Sequence, residues 1–446
     1  MKHKHGFKVE AEAGVAVGRN WNTKPDSVFG VTVLGRRAFV LGGAAAMLAS
    51  PAAAEPLYDD RLLNPCLAAA LPERLARHEV VRAAWEGIDP AQVWDVHVHL
   101  VGTGDSGEGP WLSPRAWSVF HPTTLARRLV LTNAACADRR AVDRSFVTRL
   151  QQLAEAFPPG VKLMLLAFDY HHDSAGRAIP DESPLHVPDR YAATIAGRSP
   201  RRFEWIASIH PLRADAVQAV EDARRAGARA VKWLPNAMGI DPASPACDRF
   251  YETLVRTATP LLTHAGEEAA VDAAAAQELG NPLRLRRALD HGVRVIVAHC
   301  GTLGKGIDLD KGAHGPRVSN FALFTRLMED PRYEKNLFGD ISAVVQRNRA
   351  GEAFPALLRR TEWHPRLLWG SDYPLPGVLP LISVAWFAER GFLPSSEVPV
   401  LSEIRRHNPL LFDFVLKRRL AAGTVRFAPQ VFETRRVFDR ASRGNE

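Results

Sequence analysis

Cysteine is scarce and unpatterned: four residues in 446 (Cys66, Cys136, Cys247 and Cys300), with no Cys-x-x-Cys pair. That excludes the usual zinc-finger and dithiol signatures. The thiols are expected to be free and mostly buried, although an oxidising compartment would permit one disulfide that spacing cannot assign. No Gly-x-Gly-x-x-Gly follows an apolar strand, which argues against a dinucleotide-binding fold. A basic stripe interleaved with aromatics is also missing. Residues 1–54 hold seven Lys/Arg against three Asp/Glu and so carry half of the +8 formal net charge. Nucleic acid is therefore not an expected partner. What is present, 46% apolar and 24% charged residues, describes a soluble globular chain of one large domain or two to three ordinary ones.

The most informative stretch is Val93–Leu100, Val-Trp-Asp-Val-His-Val-His-Leu. Its period of 2 predicts a strand with Asp95, His97 and His99 on one face and Val96 and Val98 on the other. Two imidazoles at i and i+2 stand about 7 Å apart along a strand, close enough to tilt onto one cation. Two core histidines would satisfy the same spacing, so the remaining ligands must come from elsewhere in the chain.

Upstream, residues 1–34 show no periodicity. Gly35-Arg36-Arg37 then leads into an Ala/Gly-rich run ending Ser50-Pro51-Ala52-Ala53-Ala54, too short to span a bilayer comfortably. The arginine pair and small-residue end resemble a twin-arginine export signal cleaved after Ala54. That implies the twin-arginine machinery as a partner and a periplasmic or otherwise exported protein. Residues 55–92 read as a helical extension, with helices at Pro65–Leu71 and Glu73–Trp85. The Gly-rich loop Val101–Glu108 is a plausible substrate-facing lid.

Short apolar strands then alternate with amphipathic helices. The strands after Val93–His99 are Val161–Phe168, Phe203–Ile209, Ala228–Leu234, Pro260–His264, Val293–His299, Asn336–Ser342 and Leu367–Asp372. Helices are expected at Pro122–Leu153 (broken near Ala134), Arg213–Ala226, Pro245–Thr257, Glu268–Leu279, Pro282–His291, Ser319–Met328 and Glu352–Thr361. Eight such repeats predict a (β/α)8 barrel over residues 93–421, closed by a helix Ser402–Ala421 that Asn408-Pro409 interrupts. Residues 422–446 read as a tail without a clear period.

Polar residues fall repeatedly where these strands end: His97 and His99, Lys232, His264, His299 and Asp372. In such a barrel the site is built at the C-terminal ends of the strands. Charged ends on otherwise apolar strands are costly unless paired or metal-bound. Asp169, Tyr170, His171 and His172 after the second strand, and His210 after the third, are lesser candidates that solvated loops explain as well. Asp95 is expected to hydrogen-bond within the barrel. Arg201 and Arg202 precede the third strand, on the face away from catalysis.

Asp-x-His-x-His on the first strand, His264 and His299 on the fifth and sixth, and Gly-Ser-Asp-Tyr-Pro on the eighth resemble the amidohydrolase superfamily, in particular its amidohydrolase-related (type 2) branch. The resemblance runs from Val93 to Asn408. It implies one divalent metal, zinc, on His97, His99, His264 and Asp372, with Asp372 as general base. It also implies that His299 either polarises the substrate or binds a second metal. Lys232 is either carboxylated, bridging two metals, or aimed at an anionic substrate. The expectation is an exported metal-dependent hydrolase of an ester, lactone or amide, with a homo-oligomer left open. A decarboxylase of aromatic or related acids on the same site and a non-catalytic metal-binding protein are the rivals.

Overall fold

In the computed structural model of the protein the described residues are 63–271 and 273–439; the segment 1–54, with its export reading, lies outside them. The eight apolar runs form β1 (Trp94–His99), β2 (Lys162–Leu166), β3 (Phe203–Ile206), β4 (Val231–Trp233), β5 (Leu261–His264), β6 (Val295–Ala298), β7 (Leu337–Asp340) and β8 (Leu367–Leu368). All pair in parallel and in chain order, β1 to β3 and β4 to β8. Single bridges join the two arcs, Ala207 with Val231 and Val98 with Tyr373. Main-chain bonds support both seams, from Lys232 N–H to the Ala207 carbonyl (2.7 Å) and from Asp372 N–H to the His97 carbonyl (2.8 Å). The ring is closed, as the (β/α)8 reading requires.

Alternate residues fill its interior: Met164, Leu166, Ile206, Leu262, Ile296 and Leu368 pack together inside. Their partners Leu163, Leu165, Leu261, Val295 and Val297 face the helices. The first strand departs from the expected alternation. Pairing with β2 slips between Asp95 and Val98, so β1 carries a bulge there. Val96 packs inside the ring and Val98 outside it, not on one shared face.

The crossovers include α1 (Pro122–Ala134) and α2 (Val142–Glu155) between β1 and β2, then α3 (Asp189–Arg198), α4 (Ala216–Arg225), α5 (Asp248–Arg256), α6 (Arg286–Asp290), α7 (Asn320–Met328) and α8 (Ala350–Arg359). The closing pair is α9 (Val398–His407) and α10 (Pro409–Arg419), split where the Asn408 side chain caps α10 by accepting from Leu411 N–H at 3.0 Å. α10 fixes β8: Lys417 donates to the Gly370 carbonyl (2.9 Å), and Asp413 accepts from Lys417 (2.8 Å) and the Trp369 indole (3.0 Å).

Three local expectations are corrected. Pro65–Leu71 is not helical, and Glu73–Trp85 breaks into Glu73–Ala76 and Glu79–Ala84, because His78 turns its Nδ1 to accept from Val80 N–H (3.2 Å) and starts a new helix. The stretch 268–279 is a loop with 3-10 turns, not an α-helix. Side chains serve its backbone instead: Gln277 bonds both the N–H (2.8 Å) and the carbonyl (2.9 Å) of Glu268, whose carboxylate accepts from Val271 N–H (3.1 Å). Finally, the thiols are not all free. Cys66 and Cys136 form a disulfide across a sequence separation of 70, while Cys247 and Cys300 are free and buried. Reciprocal Asn64–Asn133 bonds of 2.8 and 3.1 Å bring those two segments together, a contact that spacing does not encode.

The stretch set apart as a tail is the barrel's floor. Val437 and Phe438 join the interior cluster. The Thr434 hydroxyl accepts from Trp94 N–H (3.2 Å) and donates to the Trp94 carbonyl, and Trp369 N–H reaches the Val431 carbonyl (2.7 Å). Phe438 is 2% exposed. Phe438→Ala is expected to cost about 3 kcal/mol in urea unfolding, the usual result of emptying a buried aromatic site; an unchanged midpoint would show that the floor carries no stability.

Candidate metal centre

The inward parity of the strands delivers the rim residues. Lys232 follows the inward Ala230 by two, His264 follows Leu262, and Asp340 follows the inner-facing Phe338. The bulge in β1 turns His97 to the same mouth as His99. Gly370 admits the imidazole: a Cβ there would lie 2.9 Å from His97 Cβ. Two residues on, Asp372 has φ +62°, and His299 and Cys300 have φ +55° and +51°. Left-handed backbone at non-glycine residues costs about 1 kcal/mol or more each, and here it sits on the residues that face the mouth.

His97 Nε2 lies 3.2 Å from His99 Nε2, and Asp372 Oδ1 lies 3.6 and 3.3 Å from these two nitrogens. Donor atoms about 2 Å from one tetrahedral ion stand roughly 3.4 Å apart, so these separations match neighbouring ligands on a shared cation. The tautomers agree. Asp340 takes the His97 Nδ1 proton at 2.9 Å. Its other oxygen accepts from His299 N–H (3.1 Å), Ser342 N–H (2.9 Å) and the Ser342 hydroxyl. With its proton on Asp340, the Ser342 hydroxyl accepts from His299 Nδ1 at 2.8 Å. Both rings therefore present Nε2 lone pairs to the cavity, the arrangement by which an outer carboxylate prepares a ligating histidine.

His299 Nε2 lies 3.9 Å from Asp372 Oδ2, and its ring is 5.3 Å from that of His264. His264 stands outside the 4.8 Å mutual reach of the His97, His99 and Asp372 donors. Its Nδ1 is 3.6 Å from Glu268, and its Nε2 is buried with no hydrogen-bond partner. An orphaned buried acceptor beside three converging donors fits a cation.

Burial holds His97 and His299 well below the ordinary imidazole range, with Lys232 adding to the effect on His97 and Arg349 on His299. Burial brings His264 to about 4. Burial would raise Asp372, but the His99 hydrogen bond and the positive charge of His97, His99 and Arg349 outweigh it and hold the carboxyl below its usual value. Neutral imidazoles beside an ionised carboxylate are the protonation state metal binding needs. Lys232 Nζ approaches His97 Nε2 at 3.2 Å, and burial lowers it to about 8 against the pull of Asp340, Asp372 and Glu268.

The cavity above this cluster, about 130 Å³, has apolar walls including Phe168, Leu185, Leu234 and Val271, with Arg127, Arg128 and Arg349 as further cations. Among the described residues, His171, His172 and His210 do not line it. His172 stacks on His210 with ring centroids 4.4 Å apart, and His210 Nε2 bonds the Met238 carbonyl at 3.1 Å. Asp169 accepts from His210 N–H (2.9 Å) and Arg213 (3.0 Å), and Tyr170 stacks on His186. These residues brace the loops after β2 and β3. Asp95 bonds within the barrel, as expected, accepting from His97 N–H (3.1 Å) and Ser371 N–H (2.9 Å). Arg202 pairs with Glu155 (3.1 Å). Residue-type reasoning missed Asp340, Ser342, Glu268 and Arg349. Asp340 carried a readable signal, the inward parity and strand-end position shared with Lys232 and His264; Arg349 carried none.

No curated protein matches the chain. Among solved structures, a TIM-barrel protein from Bordetella bronchiseptica is 14% identical, with a TM-score of 0.41 over 68% of this chain and 91% of that one. A 5-carboxyvanillate decarboxylase from Sphingomonas paucimobilis is 10% identical (TM-score 0.35; 71% and 95%). A 4-oxalomesaconate hydratase from Rhodopseudomonas palustris is 11% identical (TM-score 0.35; 63% and 81%). The assignment rests instead on the family model described as amidohydrolase, which matches residues 94–395. That match covers more than half of the 446 residues, and the chain belongs to the amidohydrolase-2 family of metal-dependent enzymes.

Proposed function

We propose that the cavity is the active site of a metal-dependent hydrolase that holds one divalent cation on His97, His99, His264 and Asp372. The observation that carries this reading is the approach of Asp372 Oδ1 to within 3.6 and 3.3 Å of the His97 and His99 Nε2 atoms. Imidazole nitrogen and carboxylate oxygen donors suit zinc. When bound, the cation supplies Lewis acidity that makes water and an acyl carbonyl reactive near neutral pH.

The chain's own residues handle the protons. Asp372, kept ionised, takes a proton from water as the water oxygen bonds to the carbonyl carbon of an ester, lactone or amide. It returns that proton to the leaving oxygen or nitrogen as the acyl bond breaks. His299 presents an acceptor nitrogen 3.9 Å from Asp372 Oδ2, so it orients the water's other proton and does not donate to the carbonyl. Asp340 holds His97 and, through Ser342, His299 in the tautomers this requires. Lys232 stays an ammonium facing the substrate; a second cation would need its carboxylated form. A second reading, decarboxylation on the same site, is favoured by the buried cations Lys232 and Arg349, which suit a carboxylate-bearing substrate.

We also carry the export reading forward. The Cys66–Cys136 disulfide fits an oxidising compartment and supports it, with residues 1–54 as the twin-arginine signal.

Elemental analysis of purified protein is expected to give one divalent ion per chain; two would implicate carboxylated Lys232. Metal-loaded protein is expected to hydrolyse members of an ester, lactone and amide panel. Chelation should abolish this, and Asp372→Asn should lower turnover by about a hundredfold or more. Carbon dioxide release from aromatic acids without hydrolysis would transfer the reading to decarboxylation. Asp340→Asn is expected to weaken metal binding by about ten- to a hundredfold in a competitive chelator titration; unchanged affinity would remove Asp340 from the centre.

A further inference from the structure

Two arginines are buried in this protein, and they are treated differently. Arg405 is 0% exposed and surrounded by carbonyls: its guanidinium donates to Pro376 (2.7 Å), Leu379 (2.8 Å), Ile382 (2.7 Å) and Val378 (2.8 Å). It is a structural cation that ties α9 to the loop after β8. Arg349 is 8% exposed, yet its Nε and Nη1 have no hydrogen-bond partner, and among the described residues it forms no ion pair. Its side chain lines the cavity of the metal centre.

The nearby carboxylates are committed elsewhere. Asp372 faces His97 and His99, Asp340 holds His97 and His299, and Glu268 serves its own loop. The backbone carrying Arg349 is fixed, since both Arg349 N–H (2.9 Å) and Ala350 N–H (2.7 Å) reach the Gln346 carbonyl and Arg347 N–H reaches the Leu381 carbonyl (2.8 Å). A buried guanidinium without acceptors is costly, and a single charge-matched acceptor for it is a carboxylate. The walls opposite, Phe168, Leu185 and Leu234, offer that acid an apolar seat.

We propose that Arg349 is the substrate-anchoring residue of this cavity, holding the carboxylate of an organic acid whose apolar body lies against Phe168, Leu185 and Leu234. The inference deepens the hydrolase reading by naming the substrate class, an ester, lactone or amide that also carries a free carboxylate. It rests on that reading for the chemistry, not for the binding.

The test is a binding titration of benzoate against its neutral analogue benzamide, followed by intrinsic tryptophan fluorescence, on metal-loaded and on chelated full-length protein. Wild type is expected to prefer benzoate by about tenfold or more, and Arg349→Gln to weaken benzoate by about ten- to a hundredfold with benzamide unchanged. Arg349→Lys should recover part of the loss. Arg349→Met, which keeps the stem and drops the charge, reads the same effect if the glutamine variant does not fold. No preference for benzoate in wild type, or a preference that survives both neutral substitutions, would overturn the proposal. A preference kept in chelated protein whose metal-loaded form hydrolyses nothing would overturn the hydrolase reading and leave Arg349 as the anchor.

Discussion

The seam between the first and last strands is the constraint on which the site depends. Asp95 accepts from the backbone of both strands, His97 N–H on β1 and Ser371 N–H beyond β8, and Asp372 N–H bonds the His97 carbonyl. Closing the ring and assembling the donor set are therefore one event. Asp372 meets His97 and His99 because the backbone that carries it is stitched to theirs. The price is a buried carboxyl, Asp95, which burial lifts to about 7. β8 pairs over only two residues, so α10 supplies what the strand lacks, through Lys417 on the Gly370 carbonyl and Asp413 on the Trp369 indole.

Around that seam the polar network has two depths. The inner set faces the cavity. The outer set, Asp340 and Ser342, never reaches it but decides which nitrogen of His97 and His299 carries the proton. This division explains why a cluster of buried ionisable groups is tolerated at the end of an apolar barrel. Each donor that points away from the mouth has an acceptor, and the unpartnered His264 Nε2 and Arg349 donors belong to residues that line the cavity.

Much of this was legible in the residues alone. Period 2 in short apolar runs announced eight strands, and the same parity told which terminal side chains would face inward. It failed where backbone geometry breaks the period. The bulge in β1 sends Val96 inside and Val98 outside, and nothing in Asp-Val-His-Val-His marks a slip of pairing. The stretch 268–279 has helical composition, but Gln277 and Glu268 satisfy its backbone in another way. The Cys66–Cys136 bridge joins segments that meet only in three dimensions. Arg349 lies nine residues past Asp340 in a loop without periodicity, so its burial could come only from coordinates.

The floor has a consequence for how the molecule is made. Thr434 holds the base of Trp94 across 340 positions, and Phe438 fills the space beneath the ring. The opening strand therefore lacks its support until nearly the whole polypeptide has left the ribosome. An interior whose first and last contributors are so far apart is sealed late, after synthesis ends, and folding is correspondingly non-local and slow.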